Sequence, residues 1–357
     1  MIIMALDHVR DFFHAQSLQF QPENLERTYP LLFFTRWITH FCAPVFVFTA
    51  GLGACFLLRR GRTKGEVSRF LWTRGLWLVF LELTVVNFGV LLLGAPRLYI
   101  LEVIWVLGIS MIILAAAIHI PVRVLAALSL AIIALHNLLD PIRGSGLWNV
   151  LHQQGVFRLG PFTIVAAYPL VPWFAVMAAG FCFGYLFERD EAWRRQVFTR
   201  AGLALTAGFV ALRLINVYGD PTAWNGSGLS FFNVTKYPPS LEFLLMTLGP
   251  AILLLPWLEH PPAFLLTYGR APLIYFVVHF YLIHLLAKVA VAWQLGRTDL
   301  LASLTVSMAS PGRPKEYGFD LGGVYLVWIT VVLLMYPVCK WFGELKRRRT
   351  DWWLSYL

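Results

Sequence analysis

Residues 41–58 read Phe41-Cys42-Ala43-Pro44-Val45-Phe46-Val47-Phe48-Thr49-Ala50-Gly51-Leu52-Gly53-Ala54-Cys55-Phe56-Leu57-Leu58, without one charged side chain. With Thr35 to His40 ahead of it the run is long enough to cross about 30 Å of hydrocarbon as a helix. Comparable stretches lie at 71–93, 98–118, 122–139, 163–187, 198–216, 239–258, 271–292 and 321–342. The composition agrees: of 357 residues, 59% are hydrophobic and only 13% charged, with a mean hydropathy of +0.68. Such a chain is polytopic and lives in lipid. Apolar residues occupy all faces of these runs rather than alternating, which predicts an all-α helical bundle instead of a barrel. The expectation is about nine complete spans, plus a partial first helix at residues 1–6, in one domain covering 1–357.

A net charge of +10 would suggest nucleic acid in a soluble protein. Here its placement supplies a different reason. Arg59, Arg60, Arg62, Lys64, Arg69 and Arg74 form one basic block; Arg189, Arg194, Arg195 and Arg200 form another; Lys346 to Arg349 form the last. They recur at every second connection, so the positive-inside rule puts them and the C-terminus in the cytoplasm. Loops 7–34, 94–97, 140–162, 217–238 and 293–320 are then expected outside. No nucleic-acid partner is expected, and membrane lipid is. Cys42, Cys55, Cys182 and Cys339 all lie in apolar runs, as buried small hydrophobes do. Met1 to Leu6 is too short for a signal peptide or a span, so either the chain begins upstream or its first helix is incomplete.

The chemistry-bearing residues are few. Asp7-His8-Val9-Arg10-Asp11-Phe12-Phe13-His14 sets five ionisable groups within eight residues. On a helix, Asp7, Arg10, Asp11 and His14 share an arc of about 100°, with His8 a quarter turn away. A carboxylate beside a histidine fixes its tautomer and stabilises its imidazolium, as a general base requires. His8 and His14 are therefore catalytic candidates, with Asp7 and Asp11 as their orienting acids. The same cluster could equally be an interfacial ion-pair anchor. Arg36 and His40 are one turn apart on the next helix and are expected to line a cavity with the first cluster. Glu82 stands deep in its span and needs a partner or a proton there, either to sense substrate or to form a structural pair.

On the 271–292 span, Tyr281, His284 and Lys288 fall within about 60° of each other, and Tyr275 and His279 form a pair on nearly the opposite side. That helix is expected to meet a cavity on one face and another helix on the other. No metal is expected, because His279 and His284 lack a companion Cys/His/Asp set. Arg270 precedes the helix at its cytoplasmic end, where a cation can meet donor phosphates. No Walker motif, dinucleotide fingerprint or Gly-x-Ser-x-Gly elbow is present.

Met4 to His14, Leu32 to Phe48 with Ala50-Gly51, Arg74-Gly75-Leu76-Trp77-Leu78 through Glu82-Leu83-Thr84, Tyr237-Pro238-Pro239-Ser240-Leu241 to Leu248-Gly249-Pro250, and Gly269-Arg270 to His279 together resemble bacterial members of the heparan-alpha-glucosaminide N-acetyltransferase catalytic-domain family. The resemblance implies a transmembrane acyltransferase of a bacterial inner membrane. It would take acetyl from cytosolic acetyl-CoA and deliver it to an extracytoplasmic sugar or glycan, and a homodimer is allowed. Arg10, Arg36, His40 and Glu82 are then read as substrate-binding, and Arg270, Tyr275 and His279 as binding the acetyl-CoA donor. The family's catalytic histidine aligns near Pro30, which leaves His8, His14 and His40 as competing candidates. A solute or proton-coupled transporter is the alternative use of the same buried charges.

Overall fold

The computed structural model describes every residue except 18, 92–96, 297–315 and 350. The expected outer connections at 94–96 and 297–315 therefore lie outside the described residues. In chain order the elements are α1 (Ile2–Phe13), α2 (Pro30–Trp37), α3 (Cys42–Arg59), α4 (Lys64–Leu81), α5 (Asn87–Leu91), β1 (Leu98–Leu101), α6 (Val103–Ala117), α7 (Val122–Leu135), α8 (Leu147–Leu151), β2 (Gly155–Leu159), β3 (Phe162–Ala166), α9 (Trp173–Phe183), α10 (Glu191–Ile215), α11 (Gly228–Phe232), α12 (Leu241–Leu258), α13 (Ala263–Gly269), α14 (Pro272–Leu295) and α15 (Leu321–Arg348).

Seven helical stretches among the described residues are long and apolar enough to cross a membrane: Pro30–Arg59, Lys64–Gly89, Val122–Leu139, Glu191–Ile215, Leu241–Leu258, Pro272–Leu295 and Leu321–Arg348. The expected spans at 98–118 and 163–187 are shorter as helices, Val103–Ala117 and Trp173–Glu188. Each is preceded by a strand. β1 pairs parallel with β3, and β3 pairs antiparallel with β2, in the order β1-β3-β2. A small sheet thus departs from the all-α expectation. Its strands are short apolar runs, which hydropathy alone does not separate from the start of a buried helix. Gly160, at φ +57°, supplies the left-handed residue in the tight turn between Leu159 and Phe162.

Polarity is arranged for lipid. Leu285, Val289 and Trp293 on α14, and Leu326, Ile329 and Leu333 on α15, are exposed at spacings of three and four, which makes one apolar stripe per helix. Arg10, His279, His284 and Glu242 are buried instead.

Contacts divide the chain into two compact units: Met1–Cys42 with Val85–Pro96 and Pro261–Leu357, and Ala43–Thr84 with Arg97–His260. In the first, α1 packs against α14 and α15 through Met4, Ala5, Leu6, Val9, Phe12 and Phe13, all buried. Both its ends are tied: the Trp328 indole N–H donates to the Ile2 carbonyl at 2.8 Å, and Phe319 N–H donates to the Phe13 carbonyl at 2.8 Å. On α14, the Tyr281 hydroxyl donates to the Val85 carbonyl at 2.6 Å, and His284 Nδ1 lies 3.1 Å from the Gly89 carbonyl. The Tyr281–His284 stripe of α14 therefore meets the segment 85–89.

In the second unit, α10 packs along α12 and α4 along α6. Arg213, 1% exposed, ends α10 with a guanidinium that donates to Glu242 at 3.0 Å and to the carbonyls of Thr222, Ser230, Phe231 and Asn233. One cation thereby organises the connection from α10 to α12. At the α4–α6 crossing the backbones nearly touch. A Cβ on Gly75 would stand 2.5 Å from the Gly108 carbonyl oxygen, and one on Gly108 2.7 Å from that of Gly75. Small residues permit this approach where lipid provides no hydrophobic drive for helix association.

Replacing Gly108 by leucine is expected to force α4 and α6 apart at a cost of about 1–3 kcal/mol, seen as a lower Tm in detergent. Gly53→Ala, where an added Cβ meets nothing within 4 Å, serves as the control and is expected to leave Tm unchanged.

Candidate active site

The polar face of α1 is neutralised by a chain of charged partners within the first unit. The Arg10 guanidinium, 2% exposed, uses Nη2 to bridge Asp7 Oδ1 at 3.1 Å and Asp11 Oδ1 at 2.5 Å. Those three residues are neighbours because positions i, i+3 and i+4 share a helix face. The other oxygen of Asp7 accepts from Arg36 Nη1, and Arg36 Nε donates to Glu23 Oε1 at 2.8 Å. His40 Nε2 is 3.5 Å from the same Glu23 oxygen. Asp11, Arg10, Asp7, Arg36, Glu23 and His40 thus form one continuous line.

Arg36 comes from α2 and His40 from the tight turn Ile38–Phe41. That turn lies just ahead of Pro44, which has no N–H to offer the carbonyl four residues earlier. Burial opposes charge on Glu23, yet Arg36 beside it and the hydrogen bond from His40 hold its carboxyl well below the usual glutamate range. Three carboxyl groups, those of Asp7, Asp11 and Glu23, thus face the guanidiniums of Arg10 and Arg36.

His8 leaves this line, as its quarter-turn offset predicts, and meets α14. Its ring centroid is 4.2 Å from that of Phe280 and 5.2 Å from that of His279. His279 is fully buried. Its Nδ1 lies 2.8 Å from the Tyr275 carbonyl and 2.6 Å from that of Phe276. Carbonyl oxygens accept only, so Nδ1 carries the proton and Nε2 bears the lone pair. Nε2 has no hydrogen-bond partner among the described residues. Tyr275 stacks on His279 with centroids 5.2 Å apart, and Tyr268 meets Tyr275 edge-on at 5.7 Å.

The structure therefore joins Asp7, Arg10, Asp11, Arg36 and His40 in one line, and brings His279 with Tyr275 up to His8. His14 is buried at the C-cap of α1, where its backbone N–H donates to the Arg10 carbonyl at 2.9 Å. Arg270 caps α13 and is exposed. Glu82 belongs to the second unit, where Oε2 accepts from Trp105 N–H at 3.1 Å and Oε1 from Glu102 N–H at 3.4 Å. A carboxylate there satisfies the orphan donors that open α6. Two members went unforeseen in the sequence. Phe280 carries no polar signal, and Glu23 sits in the irregular stretch between α1 and α2, where no helical register announces its partners.

The family model described as heparan-alpha-glucosaminide N-acetyltransferase, catalytic, matches residues 1–214. The chain belongs to that family. No curated protein and no solved structure matches it. Family and apolar helices together make this a transmembrane acetyltransferase-type protein. The match to the acetyltransferase catalytic domain covers Asp7, His8, Arg10, Asp11, His14, Arg36, His40 and Glu82; Arg270, Tyr275 and His279 lie beyond it.

The low Glu23 pKa has a stability consequence. A carboxyl depressed on folding contributes fully above its unfolded value of about 4.3 and loses that contribution as pH falls through the folded value. Glu23→Gln should therefore melt below wild type at neutral pH, and the difference should close as the pH is taken below about 4. A difference that is constant with pH contradicts this role for Glu23.

Proposed function

We propose that the protein moves an acetyl group from acetyl-CoA on the cytoplasmic side to an amine or hydroxyl of an extracytoplasmic sugar, with residues 1–357 acting as one domain in a bacterial inner membrane. His8 is the group that takes the acceptor's proton. The observation that carries this reading is the contact of His8 with a fully buried His279 whose Nδ1 proton is committed to backbone carbonyls. His279, held in one tautomer by these carbonyls, packs beside His8 as a second imidazole that supports a general base.

In the transfer step the acceptor nitrogen or oxygen forms a bond to the acetyl carbon. The carbon–sulfur bond of the thioester breaks, the acceptor proton passes to His8, and the CoA thiolate recovers a proton from the His8 imidazolium. No net proton is lost. Arg10, Arg36 and His40 orient the acceptor and counter the developing oxyanion. The acceptor enters the step as a neutral amine or hydroxyl, and an amino sugar of a cell-envelope glycan is the preferred class. Tyr275 shields the back of His279, and Arg270 meets the phosphates of the donor. The basic blocks at 59–74, 189–200 and 346–349 support a cytoplasmic C-terminus.

The test is release of CoA thiol by the full chain in nanodiscs, supplied with acetyl-CoA and glucosamine, beside a thermal-shift assay with acetyl-CoA, CoA and ATP. Wild type should be stabilised selectively by acetyl-CoA. His8→Ala should keep that stabilisation and lose about 10²-fold or more in rate. His279→Phe should fold, bind the donor and fall to an intermediate rate. A His8→Ala protein that binds acetyl-CoA and turns over at the wild-type rate would refute the assignment.

A further inference from the structure

A second cluster of ligating groups lies in the second unit. His136 follows the end of α7, Asp140 comes one turn later, and His152 follows α8. One ring nitrogen from each histidine and a carboxylate oxygen of Asp140 all lie within 4.8 Å of one another. His136 is 3% exposed and His152 2%. Neither ring nitrogen of His136 has a hydrogen-bond partner among the described residues, and neither does Nδ1 of His152. A buried imidazole with both nitrogens unmatched is costly unless something else fills the coordination. We propose that His136, Asp140 and His152 bind a divalent transition-metal ion, zinc by preference.

Two of the three donors already stand at the right separation. His152 Nε2 is 3.1 Å from Asp140 Oδ1, and ligands at about 2.0–2.1 Å from a tetrahedral zinc are roughly 3.3 Å apart. The other imidazole needs a movement of at most an ångström or two, which rotation about the side-chain bonds of His136 supplies. The carboxylate is also prepared. Asn137 Nδ2 donates to Asp140 Oδ2 at 2.7 Å, leaving Oδ1 toward the histidines. Asn137 Oδ1 in turn accepts from Leu241 N–H at 2.9 Å, which fixes the side-chain amide and carries the support to the start of α12. Metal ligands are characteristically held this way by an outer partner.

Two imidazoles and one carboxylate, with a water completing the tetrahedron, form a donor set suited to zinc. The His152 proton facing Asp140 shifts from Nε2 to Nδ1 as the ion binds, so the imidazole coordinates as a neutral ligand through Nε2. The ion would tie the end of α7 to the residue after α8 and close the loop 140–152. This is a structural role, separate from acetyl transfer.

The experiment strips the full chain in nanodiscs with chelator and titrates it with zinc chloride, following calorimetry and Tm, and with cobalt(II), following the visible d–d bands of a tetrahedral site. One equivalent should bind, Tm should rise, and tetrahedral cobalt bands should appear. His136→Ala and Asp140→Asn should abolish these responses. Asn137→Ala should weaken binding about 10–100-fold, and His260→Ala, an exposed histidine in the same unit, should change nothing. Metal-free Tm shows that each variant is folded. Absence of zinc binding by folded wild type overturns the site, as does binding that survives in folded His136→Ala and Asp140→Asn.

Discussion

One guanidinium, that of Arg36, holds the first unit in register by reaching Asp7 on α1 and Glu23 on the following loop at once. These charges sit largely out of water, where losing one partner of a buried pair costs about 3–5 kcal/mol because the other is left uncompensated. The pairing fixes the rotation of α1. With Asp7 and Asp11 turned toward Arg10 and Arg36, a residue one position after Asp7 points about 100° away, and His8 is thereby delivered to His279 and Phe280 on α14. The imidazole pair is thus set by an ion-pair line in which neither imidazole is a named member.

Lipid sets the second constraint. Apolar stripes on α14 and α15 face outward, so burying hydrocarbon cannot by itself hold helices together. The structure uses other means. Glycines bring α4 and α6 into backbone contact, Glu82 satisfies the opening donors of α6, and Arg213 gathers five oxygen acceptors from the α10–α12 connection. Each is a local polar or steric solution inside an apolar solvent.

Much of the helical plan was legible because uninterrupted apolar runs of twenty or so residues admit few other structures in a membrane. The reading failed at 98–101 and 162–166, where Leu-Tyr-Ile-Leu and Phe-Thr-Ile-Val-Ala form strands that hydropathy merges with the helices behind them. Helical periodicity grouped Asp7, Arg10, Asp11 and His14 and placed His8 apart; the structure joins the first three, whereas His14 caps α1 in extended backbone beyond the helix. Periodicity could not foresee Glu23, whose contacts with Arg36 and His40 cross an irregular loop, nor that His279, grouped with the donor site, stands against His8. The proximity of His136, Asp140 and His152 escaped notice for the same reason: their spacing fits no single helix face and becomes a cluster only through the α7–α8 turn.

The most direct measurement is a double-mutant cycle on Asp7→Asn and Arg36→Gln, read as the rate of acetyl transfer at saturating acetyl-CoA. If the ion-pair line positions His8, each single change should lower the rate nearly as much as the double change, a strong non-additivity. Independent, additive losses, or single variants that transfer acetyl at the wild-type rate, would contradict the dependence of His8 on the Arg36 bridge.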